Sequence, residues 1–272
     1  MKKLKVCLFL LFVGCSATTW ANVPQRIISL VPVVTKEIYQ LGAKKQLVGC
    51  TKFCTLENPN DAQVVASAVK VNMEKALLLK PDLVISSSLI PRENIELFRK
   101  MGIEVLDLPY PKSFDEICSQ LLLLGEKIGK EERAKELIHE ATSKLETIRA
   151  KVPNRHEQFS VFMQIGANPL FGVVPHTFMN DFITFANCRN IADKMSNGSI
   201  SREAVLLSNP DYIFVVFMGS MGNDEGEKWK KYNSLKAVQQ QHIFELDSRM
   251  ACSPTPDDFV SVLAQIINDI YN

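Results

Sequence analysis

Residues able to recognise a charged or aromatic ligand recur just after short apolar runs in this sequence. Lys52 and Arg249 offer fixed cations for carboxylates or other anionic groups, with solvated loop charge as the alternative for each. Phe53 can stack on a ligand, whereas Tyr110 can ligate a metal or simply donate a hydrogen bond. His176 is either an axial metal ligand or a hydrogen-bonded surface histidine. Met218 and Met221 suit an irregular apolar ligand or a core equally. Ser87, inside Ser86-Ser87-Ser88, adds hydroxyls, and Pro32 adds a rigid apolar edge. No catalytic residue is assigned: the chain has no G-x-S-x-G elbow, no H-E-x-x-H and no P-loop, which leaves a secreted hydrolase as a remote alternative. A carrier of a bare metal ion is the other alternative, and it needs several converging His and carboxylate ligands. The only histidines are His139, His156, His176 and His242, and His139 falls in a long helical pattern, so no metal site is assigned.

These candidates sit where strand patterns end. Strand signals run over Arg26 to Val31 (stopped by Pro32), Gln46 to Gly49, Asp82 to Ser86 and Glu104 to Asp107. Helix signals alternate with them over Thr35 to Leu41, Met73 to Leu79 and Asn94 to Met101. A stripe of Ala134, Leu137, Ile138, Ala141, Leu145 and Ile148 predicts one long helix over about 130–152. A second alternating set follows: strands over Gln158 to Gln164, Asp211 to Phe217 and His242 to Leu246, and helices over Thr177 to Ala186, Ser201 to Leu207 and Pro256 to Tyr271. Ser199 or Ser201 can cap the helix over Ser201 to Leu207. The halves echo each other, Lys80-Pro81-Asp82-Leu83-Val84-Ile85 against Asn209-Pro210-Asp211-Tyr212-Ile213-Phe214. The expected fold is α/β: two lobes with parallel-type sheets joined by a single long helix, with a cleft between them at the strands' carboxyl ends. The expected division is 1–21 signal, 22–129 first lobe, 130–152 bridging helix and 153–272 second lobe.

Composition narrows the class. Of 272 residues, 46% are apolar and 22% charged, as in globular chains, which excludes a disordered or low-complexity protein. Lys plus Arg is 31 against 30 for Asp plus Glu, which disfavours a nucleic-acid partner. Lys2, Lys3 and Lys5 followed by the apolar stretch Val6 to Val13 read as an export signal. Cleavage after Thr19-Trp20-Ala21 would start a soluble product at Asn22, and Phe12-Val13-Gly14-Cys15 would instead leave a lipid on Cys15. Five cysteines remain past the signal region, of which Cys50 and Cys54 could pair in an oxidising compartment or stay separate small apolar residues.

The layout resembles the extracytoplasmic solute-binding proteins of iron-chelate, haem and cobalamin importers. The markers are Arg26-Ile-Ile-Ser-Leu-Val-Pro, Thr35-Lys36-Glu37, Leu41-Gly42, Asn72-Met73-Glu74-Lys75 before Lys80-Pro81-Asp82, Ser201-Arg202-Glu203 before Asn209-Pro210-Asp211, and the Trp229 to Val238 segment. Their order covers nearly all of the chain past the signal. The resemblance implies a monomeric cargo carrier, not an enzyme, that delivers a metal chelate or tetrapyrrole to the membrane subunits of an ABC permease. It implies no cofactor of the protein's own. It implies that Phe53 stands where a cobalamin-binding relative has a tyrosine, and that Glu74 and Glu203 dock onto permease arginines. A carboxylate favoured by the dipole of a helix's first turn is the bland reading of both glutamates. Trp229 is the only tryptophan past the signal and matches a packing segment of the family, which speaks less for cobalamin. A helix between the lobes implies that they close only slightly on ligand.

Overall fold

Runs such as Leu83-Val84-Ile85 and Ile213-Phe214-Val215-Val216 are apolar at every position, the mark of parallel strands covered on both faces. The computed structural model describes residues 23–68, 70–154, 156–217 and 224–272. The signal segment, Cys15, Met218 and Met221 lie outside the described residues. The first sheet contains β1 (Ile27–Ser29), β2 (Leu47–Thr51), β3 (Gln63–Ala66), β4 (Leu83–Ser87) and β5 (Glu104–Leu108). All its pairings are parallel, in the order β3-β2-β1-β4-β5. Its helices are α1 (Pro32–Gln40), α2 (Met73–Leu78) and α3 (Arg92–Lys100), followed by α4 (Phe114–Lys127) and α5 (Glu131–Arg149). The second half contributes β6 (Ser160–Ala167), β7 (Leu170–Gly172), α6 (Phe178–Phe185), β8 (Arg189–Asn190), α7 (Arg202–Ser208), β9 (Tyr212–Phe217), α8 (Glu225–Lys230), α9 (Lys236–Gln239), β10 (Ile243–Asp247), α10 (Ser248–Ala251) and α11 (Pro256–Tyr271). Its sheet runs β10-β9-β6-β7, with β8 also beside β6 and only β7 antiparallel.

The pleat sends successive side chains to opposite faces, so each sheet has two cores. Ile27, Leu83 and Ile85 pack toward α1, α4 and α5, whereas Ile28 and Val84 pack toward α2 and α3. Val161, Met163 and Phe214 meet α6 and α11, whereas Phe162, Ile213 and Val215 meet Trp229 and Val205. Among the described residues no helix is long and apolar enough to cross a membrane.

Each lobe closes with the same device. Lys80 and Asn209 take left-handed backbone angles (φ 46° and 44°) ahead of a proline, ending α2 and α7. The aspartate after each proline then binds the start of the lobe's first strand. Asp82 accepts from the Gln25 and Arg26 amides at 2.7 and 2.9 Å, and its own amide donates to the Arg26 carbonyl at 3.0 Å. Asp211 accepts from the Ser160 amide and hydroxyl at 2.8 and 2.6 Å, and its amide donates to the Ser160 carbonyl at 2.9 Å.

The helix expected over 130–152 is α5, and an antiparallel helix the sequence reading left unassigned, α4, lies beside it. Both straddle the lobes. Phe114 and Ile117 of α4 join the second-lobe core, whereas Leu121 and Leu124 join the first. Ala134 of α5 is in the first-lobe core, and Ala141 and Leu145 are in the second. The turn between them uses Gly129 at φ 72°, and Gly125 lets the helices touch: a Cβ there would lie 2.6 Å from that of Ala134. Asp181 of α6 accepts the Phe114 amide at 2.9 Å and so pins the second-lobe end of the pair. Pro32, expected to end a strand, instead occupies the first turn of α1, where its fixed φ suits a helix start and its missing N–H costs nothing.

Candidate functional site

A cavity of about 870 Å³ opens where α1 and the loop after β2 face the end of β10 and α10. Both sheets present the carboxyl ends of strands here, the place where open α/β sheets bind ligands. The first-lobe wall is Pro32, Val33, Lys36, Tyr39 and Gln40, with Phe53 and Thr55 to Glu57 above them. The α1 residues stand at i, i+1, i+4, i+7 and i+8, one helical face. The second-lobe wall is Asp247 to Met250 with Cys252 and Ser253.

Electrostatics give the walls different characters. Lys36 Nζ lies 2.6 Å from both carboxylate oxygens of Asp258 on α11, an ion pair that ties α1 to the second lobe. Beside it Glu37 is buried, and burial pushes its carboxyl up to about 8 against the pull of Lys36. Tyr39 donates its hydroxyl to Asp61 at 2.8 Å. Burial, then that bond and the Asp61 charge, push the phenol up to about 12, so Tyr39 presents a neutral ring. Arg249 folds back on Asp247, its Nε at 3.1 and 2.9 Å from the two carboxylate oxygens. Those bonds hold the Asp247 carboxyl below the usual range.

Of the residues singled out from the sequence, the cavity brings together Pro32, Phe53 and Arg249. Lys52 is not part of the wall, but its Nζ lies 4.9 Å from the ring centroid of the wall residue Phe53. Ser87 ends β4 and half-buries its side chain outside this wall. Tyr110 packs its ring 5.6 Å from that of Phe178 and is not part of the wall. His176 takes φ 64° in the loop before α6 and is not part of the wall. Sequence reasoning missed Lys36 and Tyr39, whereas Met250 follows Arg249 at the strand end it pointed to. The helical stripe that starts at Pro32 is the signal that finds both missed residues.

Cys50 and Cys54 are free thiols. Cys54 accepts from the Thr35 hydroxyl at 3.0 Å and lies 3.3 Å from that of Thr51. The Cys50 thiol, foremost, and these hydroxyls pull Cys54 down to about 6, while Cys50 is pushed up. Among the described residues no group of three or more His, Cys, Asp or Glu side chains converges as a metal site. Away from the cavity, Glu74 and Glu203 are exposed in the first turns of α2 and α7, and among the described residues neither has an ion-pair partner. Asn72 and Ser201 cap these helices by accepting the Lys75 and Ala204 amides at 3.0 and 3.1 Å.

Comparison with known proteins agrees with this architecture. An uncharacterized ABC transporter substrate-binding lipoprotein of Bacillus subtilis, YvrC, is 29% identical over 86% of this chain and 76% of its own. A vitamin B12-binding protein of Vibrio campbellii is 26% identical over 94% of this chain and 92% of its own. The crystal structure of a possible iron-binding (periplasmic solute-binding) protein from Staphylococcus epidermidis superposes with a TM-score of 0.80 at 25% identity, over 92% of this chain and 99% of that one. Two α/β lobes, a cleft at their strand ends, and a match of residues 27–250 to the family described as periplasmic binding protein lead to one conclusion: the chain belongs to that binding-protein family.

Proposed function

We propose that this chain is the exported carrier of an ABC importer and that its cargo is a metal chelate or tetrapyrrole: a ferric siderophore, cobalamin or haem. The observation that carries the reading is the cavity of about 870 Å³, which combines cations, aromatic rings and apolar edges from both lobes. That volume is near the top of the range for small-molecule sites, roughly 300–1,000 Å³, and so suits a bulky ligand. Arg249 faces it as an anion contact, while Lys36 is held by Asp258, and Phe53 offers a stacking surface with the Lys52 ammonium over its ring. Arg249 is engaged by Asp247, but an exposed pair of this kind is worth only about 0–1 kcal/mol, so a ligand carboxylate displaces it at little cost. Tyr110, Ser87, His176, Met218 and Met221 are proposed as further ligand contacts.

Delivery is proposed to use Glu74 and Glu203, one per lobe, against cations of the permease. Residues 1–21 are proposed as the export signal, with Cys15 as the alternative lipid site.

The visible spectrum and mass of the co-purified ligand test the cargo. A Soret band identifies haem, a corrin spectrum cobalamin, and a charge-transfer band a siderophore. A preparation that binds none of the three in titration would end the proposal. For an anionic chelate, Arg249→Ala and Lys52→Ala should each weaken binding by about 1.5–3 kcal/mol, and unchanged affinity in calorimetry for both removes them from the site. Uptake that survives Glu74→Lys with Glu203→Lys, in cells lacking the native carrier, removes the docking role.

A further inference from the structure

Cys50 is fully buried in β2, and Cys54 lies in the loop that follows it. A tight turn brings the chain back: the Cys54 amide donates to the Thr51 carbonyl at 3.2 Å, while the Lys52 amide donates to Ala66 at 2.9 Å. Phe53 and Thr55 on either side line the cavity, whereas Cys54, half-buried between them, packs on the apolar cluster that holds Cys50. Its sulfur is a meeting point of donors. Thr35 Oγ1 lies 3.0 Å from it and Thr51 Oγ1 3.3 Å. The Thr51 oxygen accepts the Phe53 amide at 3.2 Å, which leaves its own proton to point at the sulfur. The Cys50 thiol is the third donor.

Donors around a sulfur favour the thiolate, the form that attacks disulfides. The Cys50 thiol first, then the hydroxyls, hold Cys54 below the ordinary thiol range, while the bond to Cys54 and then burial push Cys50 up. The buried Thr35 hydroxyl does not depend on the thiolate. It has one proton and a second acceptor, Ser29 Oγ at 2.9 Å, whose own proton goes to the Val31 carbonyl at 3.0 Å. When Cys54 stops accepting, Thr35 turns to Ser29 and keeps a partner. Two small residues that merely fill space need neither the donors nor this fallback.

We propose that Cys50 and Cys54 are an oxidisable dithiol that closes to a disulfide behind the cleft wall, with Cys54 as the attacking and Cys50 as the resolving thiol. The oxidant is a small-molecule disulfide. The Cys54 thiolate attacks one of its sulfurs, the old S–S bond breaks, and the departing thiolate takes up the proton that Cys54 had released. Cys50 then loses its proton and attacks the Cys54 sulfur. The Cys50–Cys54 bond forms, the second thiolate departs and takes up the Cys50 proton. Two thiols of the chain are oxidised and one disulfide is reduced to two thiols, so atoms, electrons and protons balance. Phe53 and Thr55 adjoin the new bond, which ties their loop to β2.

Incubating the full chain with glutathione disulfide, blocking free thiols and digesting with trypsin without reductant tests this. Cleavage after Lys52 separates the two cysteines, so the expected product is peptides 46–52 and 53–70 joined by a disulfide. In the reduced chain at pH 7, Cys54 should react with iodoacetamide about tenfold faster than the wall residue Cys252, and Thr35→Val should slow Cys54 about threefold. Cys50→Ala should stop at a stable mixed disulfide of Cys54 with glutathione. Cys54→Ser should leave Cys50 unmodified in the folded chain, because Cys50 has no exposed surface. The parent-chain digest needs no variant to fold. Two thiols that stay alkylatable there, or a glutathione adduct that persists on Cys54, would overturn the inference. So would a bond from either cysteine to Cys118, Cys188 or Cys252, or modification of Cys50 in the folded Cys54→Ser chain.

Discussion

The two lobes look alike from outside and are held together differently within. Each ends a short capped helix in a left-handed residue, turns at Pro-Asp, and uses the aspartate to clamp its first strand. Beneath that, each buries a glutamate, and the two are pulled in opposite directions. Glu225 meets Lys228, Gln164 and Arg202, and although burial opposes them, these donors bring its carboxyl down to about 2. Glu37 has no such set, and burial leaves it at about 8. Burial is common to both; the supply of donors decides which one stays charged.

Acid and alkali should therefore strain different parts of the molecule, and the largest effect should be at Glu37. In the unfolded chain it loses its proton near 4.5, but in the folded chain only near 8. Between those values the unfolded state binds fewer protons, so stability falls as pH rises, by roughly 3–5 kcal/mol in total. Glu37→Gln should abolish that fall: more stable than the parent at pH 8, equal to it below pH 4.5. Equal denaturant midpoints at pH 8 would show that Glu37 is ionised after all.

Next is the second-lobe cluster. Arg202→Met installs the first lobe's solution, Met73, without its apolar surroundings, and should cost about 2–4 kcal/mol at pH 7. Glu225 gives the opposite pH sign: its stabilisation is complete above about 4.5 and lost as pH falls toward 2. Acid titration of the melting temperature in Glu225→Gln should lack that limb.

Smaller effects separate the two clamps. Asp82 uses both carboxylate oxygens on backbone amides, so Asp82→Asn forces an NH2 toward an N–H and should cost about 1–3 kcal/mol. Asp211 binds Ser160 through one oxygen, so Asp211→Asn should cost only about 1 kcal/mol. Equal losses in chemical denaturation would make the clamps energetically as well as geometrically equivalent. Smallest of all, Leu78→Ala and Leu207→Ala should shift stability by less than about 0.5 kcal/mol, since neither side chain is packed.

How legible this was in the sequence depends on local signals. Helix α11 falls where its sequence places it, because Thr255 caps it and Pro256 fits its first turn. The Pro-Asp repeat showed both lobes because the same turn chemistry is written twice. By contrast β3, Gln-Val-Val-Ala, is four residues with an exposed start and gives no clean period. Helix α4 went unassigned although Ser113 and Glu116 form a capping arrangement, the serine hydroxyl accepting the Glu116 amide at 3.1 Å and the Glu116 carboxylate accepting the Lys112 amide at 2.8 Å. The site was half legible. Strand ends pointed to Phe53 and Arg249, but reading Pro32 as a strand stop, not a helix start, hid the stripe that carries Lys36 and Tyr39. Side chains brought together from residues 36 and 258 carry no mark in either local segment.

The paired helices α4 and α5 have a mechanical consequence. A lone rod between two bodies resists bending but lets them twist about its axis; two rods in contact, each embedded in both bodies, block that torsion as well. The lobes can then spread or close along one coordinate without skewing. The distance between the lobes is then a single variable, and the cleft's contents act on that variable alone.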